Sequence, residues 1–327
     1  MNLLLTIDYE LFLQEPCEDI FCSLIQPTYR FHELLKKYRC RAVYFVDVGY
    51  LYALYRQQNQ HSKLRHDFTA IIRQLKFLEN EGNEIGLHIH PHWEDSYFDG
   101  NKWIIDLKRY KLADFNKSDA QQIFVKYYQF LQYYISHKII SFRAGGWCLP
   151  PFDYIRQPML DCGIIIDSSV YYGGYANNDT HYYDFRKYPV NDIWRFNEDP
   201  SIEDPNGLFC EIPFSTYLIS PLVYWNVMRN RFFSVFSNKR NGISVNPALL
   251  DVTNKLLKKT IHPVSMDSLK SNTLLNNFID TKISGKNIFS VIGHSKSLDE
   301  TSFRNIELLI GHATRTGHFT RLFSELI

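Results

Sequence analysis

The chain has 327 residues, of which 45% are hydrophobic, 16% aromatic and 22% charged, with a formal net charge of +1 at pH 7. That length fits either one α/β barrel or two ordinary domains, and the apolar fraction is enough to bury a sizeable core. The near-neutral balance excludes broad electrostatic attraction to nucleic acid, so no nucleic-acid partner is expected.

In chain order, residues 3–7 form a short continuous apolar run, the pattern of a buried strand, ending at Asp8-Tyr9-Glu10. Pro27 can open a helix running to about residue 38, and residues 42–46 read as a second strand, rich in β-branched and aromatic side chains. Residues 64–80 carry Phe68, Ile71, Ile72, Leu75 and Leu78 at helical spacing, and Gly82 suits the stop. Residues 84–89 are a strand running into His88-Ile89-His90-Pro91-His92. Residues 98–103 look like a hairpin turn. Ser118 with Gln121 reads as a capping box opening a helix to about residue 136.

Residues 139–142 are a strand ending at Arg143, a short helix spans 152–160, and residues 164–166 are a strand ending at Asp167. Residues 171–205 are polar, aromatic and without period, and are assigned to a long inserted loop. A strand at 208–212 follows, then helices at 222–236, 248–258 and about 266–279. The last strand, 288–292, ends at Gly293-His294, and a helix from Asp299 closes the core. With no internal repeat, low-complexity tract or linker, one domain covering 1–327 is the simpler reading.

Short apolar strands alternating with helices imply a largely parallel sheet covered by helices. Asp8, Glu10, His88, His92, Arg143, Asp167 and His294 each fall just past a predicted strand end. In a β/α barrel those ends gather on one face, where active sites are built. Positions two apart in an extended chain share a side, so His88 and His90 should face the same way, with His92 joining them unless Pro91 turns the chain. Neutral imidazoles at a strand end suggest a divalent metal site, against the bland reading of a structural histidine cluster.

Two histidines and a carboxylate leave coordination positions open, as a catalytic rather than a structural site requires. Hydrolysis also needs a base and an acid: Asp8 or Glu10 on one side, His294 on the other. Arg143 and Asp167 read either as an ion pair orienting the base or as an ordinary structural salt bridge.

Thr6-Ile7-Asp8-Tyr9-Glu10, Gly86-Leu87-His88-Ile89-His90-Pro91-His92, Arg143-Ala144-Gly145-Gly146-Trp147, Asp167-Ser168-Ser169 and Ile292-Gly293-His294, in that order, resemble the five motifs of the polysaccharide deacetylases. These are the NodB-homology proteins of carbohydrate esterase family four. The resemblance implies a distorted (β/α) barrel of about seven strands. It also implies metal-dependent removal of an acyl group from an N-acylated sugar or polysaccharide precursor, zinc being the expected ion. By position it makes Asp8 the base, Arg143 and Asp167 its supporting pair, His294 the acid, and His88 and His92 metal ligands. His90 becomes a substrate-facing neighbour.

The motifs depart from the family at three points. Tyr9 stands where a second aspartate is usual, leaving Glu10 as the candidate third ligand and the division of roles between Asp8 and Glu10 open. Gly145-Gly146 replace the usual proline and aromatic, with Trp147 next as the candidate sugar-pocket wall. The tryptophan usual after the fourth-motif aspartate is absent.

Residues 222–233 mix aromatics with Arg229 and Arg231, as an amphipathic helix in peripheral membrane contact would, although an ordinary barrel helix or oligomer contact is the simpler reading. The 171–205 loop suits either a lid stacking on sugar rings or a packed aromatic loop. Six cysteines (Cys17, Cys22, Cys40, Cys148, Cys162, Cys210) contain no C-x-x-C pair, and the N-terminus lacks a basic, signal-like start, so a soluble cytoplasmic protein is expected. The rival readings are an inactive barrel that only binds carbohydrate, an amidase acting on a small non-sugar amide, and a 2-His-1-carboxylate iron oxygenase.

Overall fold

The computed structural model describes residues 1–11, 19–221 and 259–327. β1 (Asn2–Tyr9) is buried along nearly its whole length and pairs in parallel with β2 (Val43–Asp47) on one side and β14 (Ile288–His294) on the other. Its unbroken apolar run is what a strand covered on both faces requires. From β2 the sheet continues through β3 (Glu84–Ile89), β6 (Ser141–Ala144), β7 (Ile166–Asp167) and β11 (Phe209–Glu211), all parallel, and ends at the antiparallel β10 (Trp194–Phe196).

Three two-stranded ribbons decorate the sheet: β4 (Tyr97–Phe98) with β5 (Trp103–Ile104), β8 (Tyr175–Asn177) with β9 (Tyr182–Asp184), and β12 (Thr216–Ile219) with β13 (Thr260–Pro263). Between the β11 and β14 sides the chain closes the circle irregularly. Ser215 N–H donates to Ser290 O at 2.9 Å, Val264 N–H to Ser215 O at 2.8 Å, and Met266 N–H to Ile292 O at 2.7 Å. Seven parallel strands and one antiparallel strand make a distorted (β/α) barrel.

Helices α1 (Gln26–Lys37), α2 (Val48–Gln57), α3 (Ser62–Asn80), α4 (Lys117–Tyr134), α5 (Arg156–Cys162), α6 (Leu274–Ile283) and α7 (Glu300–Arg315) accompany the sheet. Strand side chains alternate between its faces. Leu4, Val43, Phe45, Ile166 and Ile288 share one cluster inside the barrel, whereas Ile7, Tyr9, Leu87, Ile89 and Phe142 join the larger core on the helix side. Each fully buried side chain of this kind contributes roughly 1.5–3 kcal/mol.

Four sequence expectations are corrected. The helix expected from Ser118 is capped by Asn116, whose extended backbone lets Oδ1 accept the Asp119 N–H at 2.9 Å. α2 was not anticipated, because it follows β2 with no intervening loop and takes Asp47, the last strand residue, as its cap. The 171–205 stretch contains the β8–β9 ribbon and β10. The helix expected from 266 begins only at Leu274, after a 3-10 segment, Ser268–Thr273, and Asp267 stays extended. The helices expected at 222–236 and 248–258, and with them the membrane-contact reading, lie outside the described residues. No described helix is long and apolar enough to cross a membrane.

Candidate active site

The alternation that buries Ile7 and Tyr9 against the helices turns Asp8 and Glu10 into the barrel mouth. Tyr9 points the other way, and its hydroxyl donates to Gln74 Oε1 at 2.8 Å. The residue standing where the family motif has a second aspartate is therefore committed to the core. Glu10, two positions after Asp8, reaches the histidines instead: Glu10 Oε2 is 2.7 Å from His90 Nε2 and 3.5 Å from His88 Nε2.

His88 is fixed by its neighbour strand. Its Nδ1–H donates to Arg143 O at 2.9 Å, which turns Nε2 toward Asp8 and Glu10. His90 is packed against the turn after β6, where a Cβ on Gly145 would come within 2.6 Å of His90 Nδ1. A side chain at that position would displace the imidazole, which accounts for glycine there. Gly146 and Trp147 both have φ +58°, so the turn is tight. Trp147 leaves it half-buried, edge-on to Tyr171 at 5.2 Å and to Tyr183 at 6.0 Å.

Among the described residues, Glu10, His88 and His90 form a group whose donor atoms lie within 4.8 Å of one another. His88 Nε2, both nitrogens of His90 and both nitrogens of His92 are buried, and apart from the Glu10 carboxylate they meet no polar partner in the protein. Buried polar atoms are ordinarily satisfied, so imidazoles gathered around a carboxylate without other partners fit a divalent cation. His92 stands apart from the tight group: its ring is 5.5 Å from that of His90 and stacks on Tyr110 at 5.6 Å. Burial, reinforced by the charges of His90 and Lys296, holds His92 well below the ordinary imidazole range, so it is neutral.

Arg143 lies inside the barrel with no solvent exposure. Its Nη1 donates to Asp8 Oδ1 at 2.5 Å, its Nε to Ser168 O at 2.9 Å, and its Nη2 to Thr6 Oγ1 and Ser168 Oγ, both at 3.1 Å. The expected Arg143–Asp167 pair is thus replaced by Arg143–Asp8. Strand alternation explains the change. Ile166 and Ser168 face the barrel interior with Arg143, whereas Asp167 is registered beside Phe142 on the helix side.

His294 completes the mouth, with 21% of its side chain exposed. Its Nε2 lies 3.8 Å from both Asp8 Oδ2 and Glu10 Oε1, while Nδ1–H donates to Asp267 Oδ2 at 2.8 Å. Asp267 Oδ1 also accepts the His294 backbone N–H at 2.9 Å. Burial pushes the imidazole down, but the charge and hydrogen bond of Asp267, helped by Asp8 and Glu10, raise it to about 9. Lys296, two residues on, donates to Glu10 Oε1 and Leu11 O at 2.8 and 2.9 Å. Burial alone would raise the Glu10 carboxyl. Lys296, His90 and the histidine hydrogen bonds outweigh it and hold the group well below the carboxylate range.

Sequence reasoning missed Asp267 and Lys296. Lys296 lies past the end of β14, in the 3-10 turn Ser295–Ser297, where strand alternation does not apply. Asp267 was hidden inside a segment read as helix. The structure gathers Asp8, Glu10, His88, His90, Arg143 and His294 at one barrel end, with Trp147 on the wall behind His90, and turns Asp167 to the opposite face of the sheet.

Neither a family model nor a curated protein sequence matches the chain. Among solved structures it resembles Puue allantoinase, at 9% identity and TM-score 0.49, over 99% of this chain and 87% of that one. It also resembles the Bc1960 peptidoglycan N-acetylglucosamine deacetylase, at 13% identity and TM-score 0.43, over 100% and 87% of the two chains. A third likeness is to BA3943, a CE4 family pseudoenzyme from Bacillus anthracis, at 12% identity and TM-score 0.40, over 99% and 64%. At these identities and scores the likeness stops short of family membership.

Proposed function

We propose that the chain is a divalent-metal-dependent amide hydrolase that removes an acyl group from an N-acylated sugar or polysaccharide precursor. One observation carries this reading: Asp8 Oδ2 lies 3.8 Å from His88 Nε2 and 3.8 Å from His294 Nε2. A carboxylate base, a protonated imidazole and a set of metal-ligand side chains thus converge on one small space. The order of the five sequence motifs supports the sugar amide as substrate.

Glu10, His88 and His90 would hold the ion, and two imidazoles with a carboxylate suit zinc best. The ion supplies a Lewis acid and a water of lowered pKa. Asp8, held in place by Arg143, accepts a proton from the attacking water. His294, charged and oriented by Asp267, donates a proton to the departing amine. Asp267 is a positioning residue here, supporting the acid His294, a part that the motif resemblance assigned to no residue. His92 packs behind His90 and orients it. Trp147, half-buried and braced edge-on by the buried Tyr171 and Tyr183, offers an aromatic face for a pyranose ring.

The Lys296–Glu10 ion pair favours a second reading, a barrel that binds carbohydrate without an ion, because the ammonium already balances the carboxylate. Acetate release from N-acetylated chito-oligosaccharides separates the two. Zinc-loaded protein is expected to release acetate and chelator-treated protein to release none. Binding of the oligosaccharides without metal content or turnover would establish the second reading.

A further inference from the structure

Asp167 and Glu211 are two carboxyl side chains with no solvent exposure, at registered positions on adjacent parallel strands. They lie on the outer, helix-side face of the sheet, opposite Arg143. Asp167 Oδ2 and Glu211 Oε2 are both buried, and neither meets a hydrogen-bond donor in the protein. Two ionised carboxylates are acceptors only, so neighbouring buried carboxyls can satisfy one another only if one of them carries a proton.

Together they hold one short turn. Ser169 Oγ–H donates to Asp167 Oδ1 at 2.6 Å and accepts the Ala144 N–H at 2.9 Å, and Val170 N–H donates to Glu211 Oε1 at 3.3 Å. The same turn is gripped from inside the barrel by Arg143, through Ser168 O and Ser168 Oγ. Arg143 in turn fixes Asp8.

We propose that Asp167 and Glu211 share one proton, and that this acid–carboxylate pair is the outer half of a clamp on residues 168–170 that positions Arg143 and, through it, Asp8. The proton resides on Glu211, which donates to Asp167. Burial, with Asp167 beside it, pushes the Glu211 carboxyl well above its ordinary range. The titratable groups facing the pair are Arg143 through the sheet, Tyr188, whose phenol both acids help push up, and Cys210 next to Glu211. Both residues act as positioning residues. The inference does not depend on the hydrolase reading, since it concerns stability and Arg143 geometry.

The test compares melting temperature against pH for wild type, Glu211→Gln and Glu211→Leu. A glutamine amide donates to Asp167 at every pH. A folded-state pKa above the unfolded one confers stability that is full below the ordinary glutamate value of 4.5 and is lost as pH rises through the folded value. The Tm of Glu211→Gln is therefore expected to gain steadily on wild type as pH rises above 4.5. Glu211→Leu is expected to melt lower at every pH and to shift the Arg143 Nε–H resonance, which Glu211→Gln leaves in place. A Tm difference between Glu211→Gln and wild type that does not change with pH would overturn the shared proton. Should that variant not fold, Asp167→Asn keeps a donor between the two positions and is read the same way. Failure of both amide variants to fold would also overturn the proposal, since each reproduces the hydrogen bond.

Discussion

Arg143 reaches across the barrel interior to Asp8, with its guanidinium 3.8 Å from the Phe45 ring centroid and 4.4 Å from that of Phe214. Both partners are shielded from water, so neither tolerates loss of the other. Arg143→Met should cost about 3–5 kcal/mol in urea unfolding, because the buried Asp8 carboxyl loses the guanidinium hydrogen-bonded to it. Adding Asp8→Asn should recover part of that loss, whereas strict additivity of the two changes would deny the coupling.

The ligand assignment separates His90 from His92. His88→Ala and His90→Ala are each expected to abolish zinc binding in titration calorimetry, because each removes a donor from the tight group with Glu10. His92→Ala should retain the ion with weakened affinity. Tight binding in His90→Ala together with its loss in His92→Ala would restore the pairing that the motif spacing suggests.

Asp267 acts through His294, so Asp267→Asn is expected to lower turnover about 10²–10⁴-fold, the range of a lost general acid. Zinc content measured by mass spectrometry should stay unchanged. A drop in zinc content would show instead that the dyad supports the ion.

Glu84 opens β3 at the opposite end of the barrel. Burial, with Glu325 nearby, raises its carboxyl against the hydrogen bonds from Ser324. Ser324 N–H donates to Oε2 at 3.1 Å, while Oε1 lacks a partner. Because the folded-state pKa is raised, its contribution to stability is full at acid pH and is lost as pH rises through the folded value. Glu84→Gln should be more stable than wild type at neutral pH, on the order of 1 kcal/mol, with the gain vanishing at acid pH. Chemical denaturation at two pH values checks this.

Local pattern was enough for the strands that build the barrel and for the polar residues at their ends. Apolar runs such as 3–7 and 288–292 have one low-energy use, and a period of two puts Asp8 with Glu10 and His88 with His90 whatever surrounds them. The failures were of two kinds. α2 and the β8–β9 ribbon formed where no local stop or start signal stood out. The Arg143–Asp167 pair failed because both residues end strands but face opposite sides of the sheet.

By itself the sequence determined that His88 and His90 share one side of a strand end with a carboxylate within reach. Only the tertiary structure decided which carboxylate. Tyr9 is anchored on Gln74 by the helix-side core, and Glu10 is left to meet the imidazoles. The tertiary structure also chose Asp267 for His294 and Asp8 for Arg143. Strand alternation is a property of neighbouring residues and can be read along the chain. Which strand stands across the barrel depends on closing the sheet, and no local pattern carries that information.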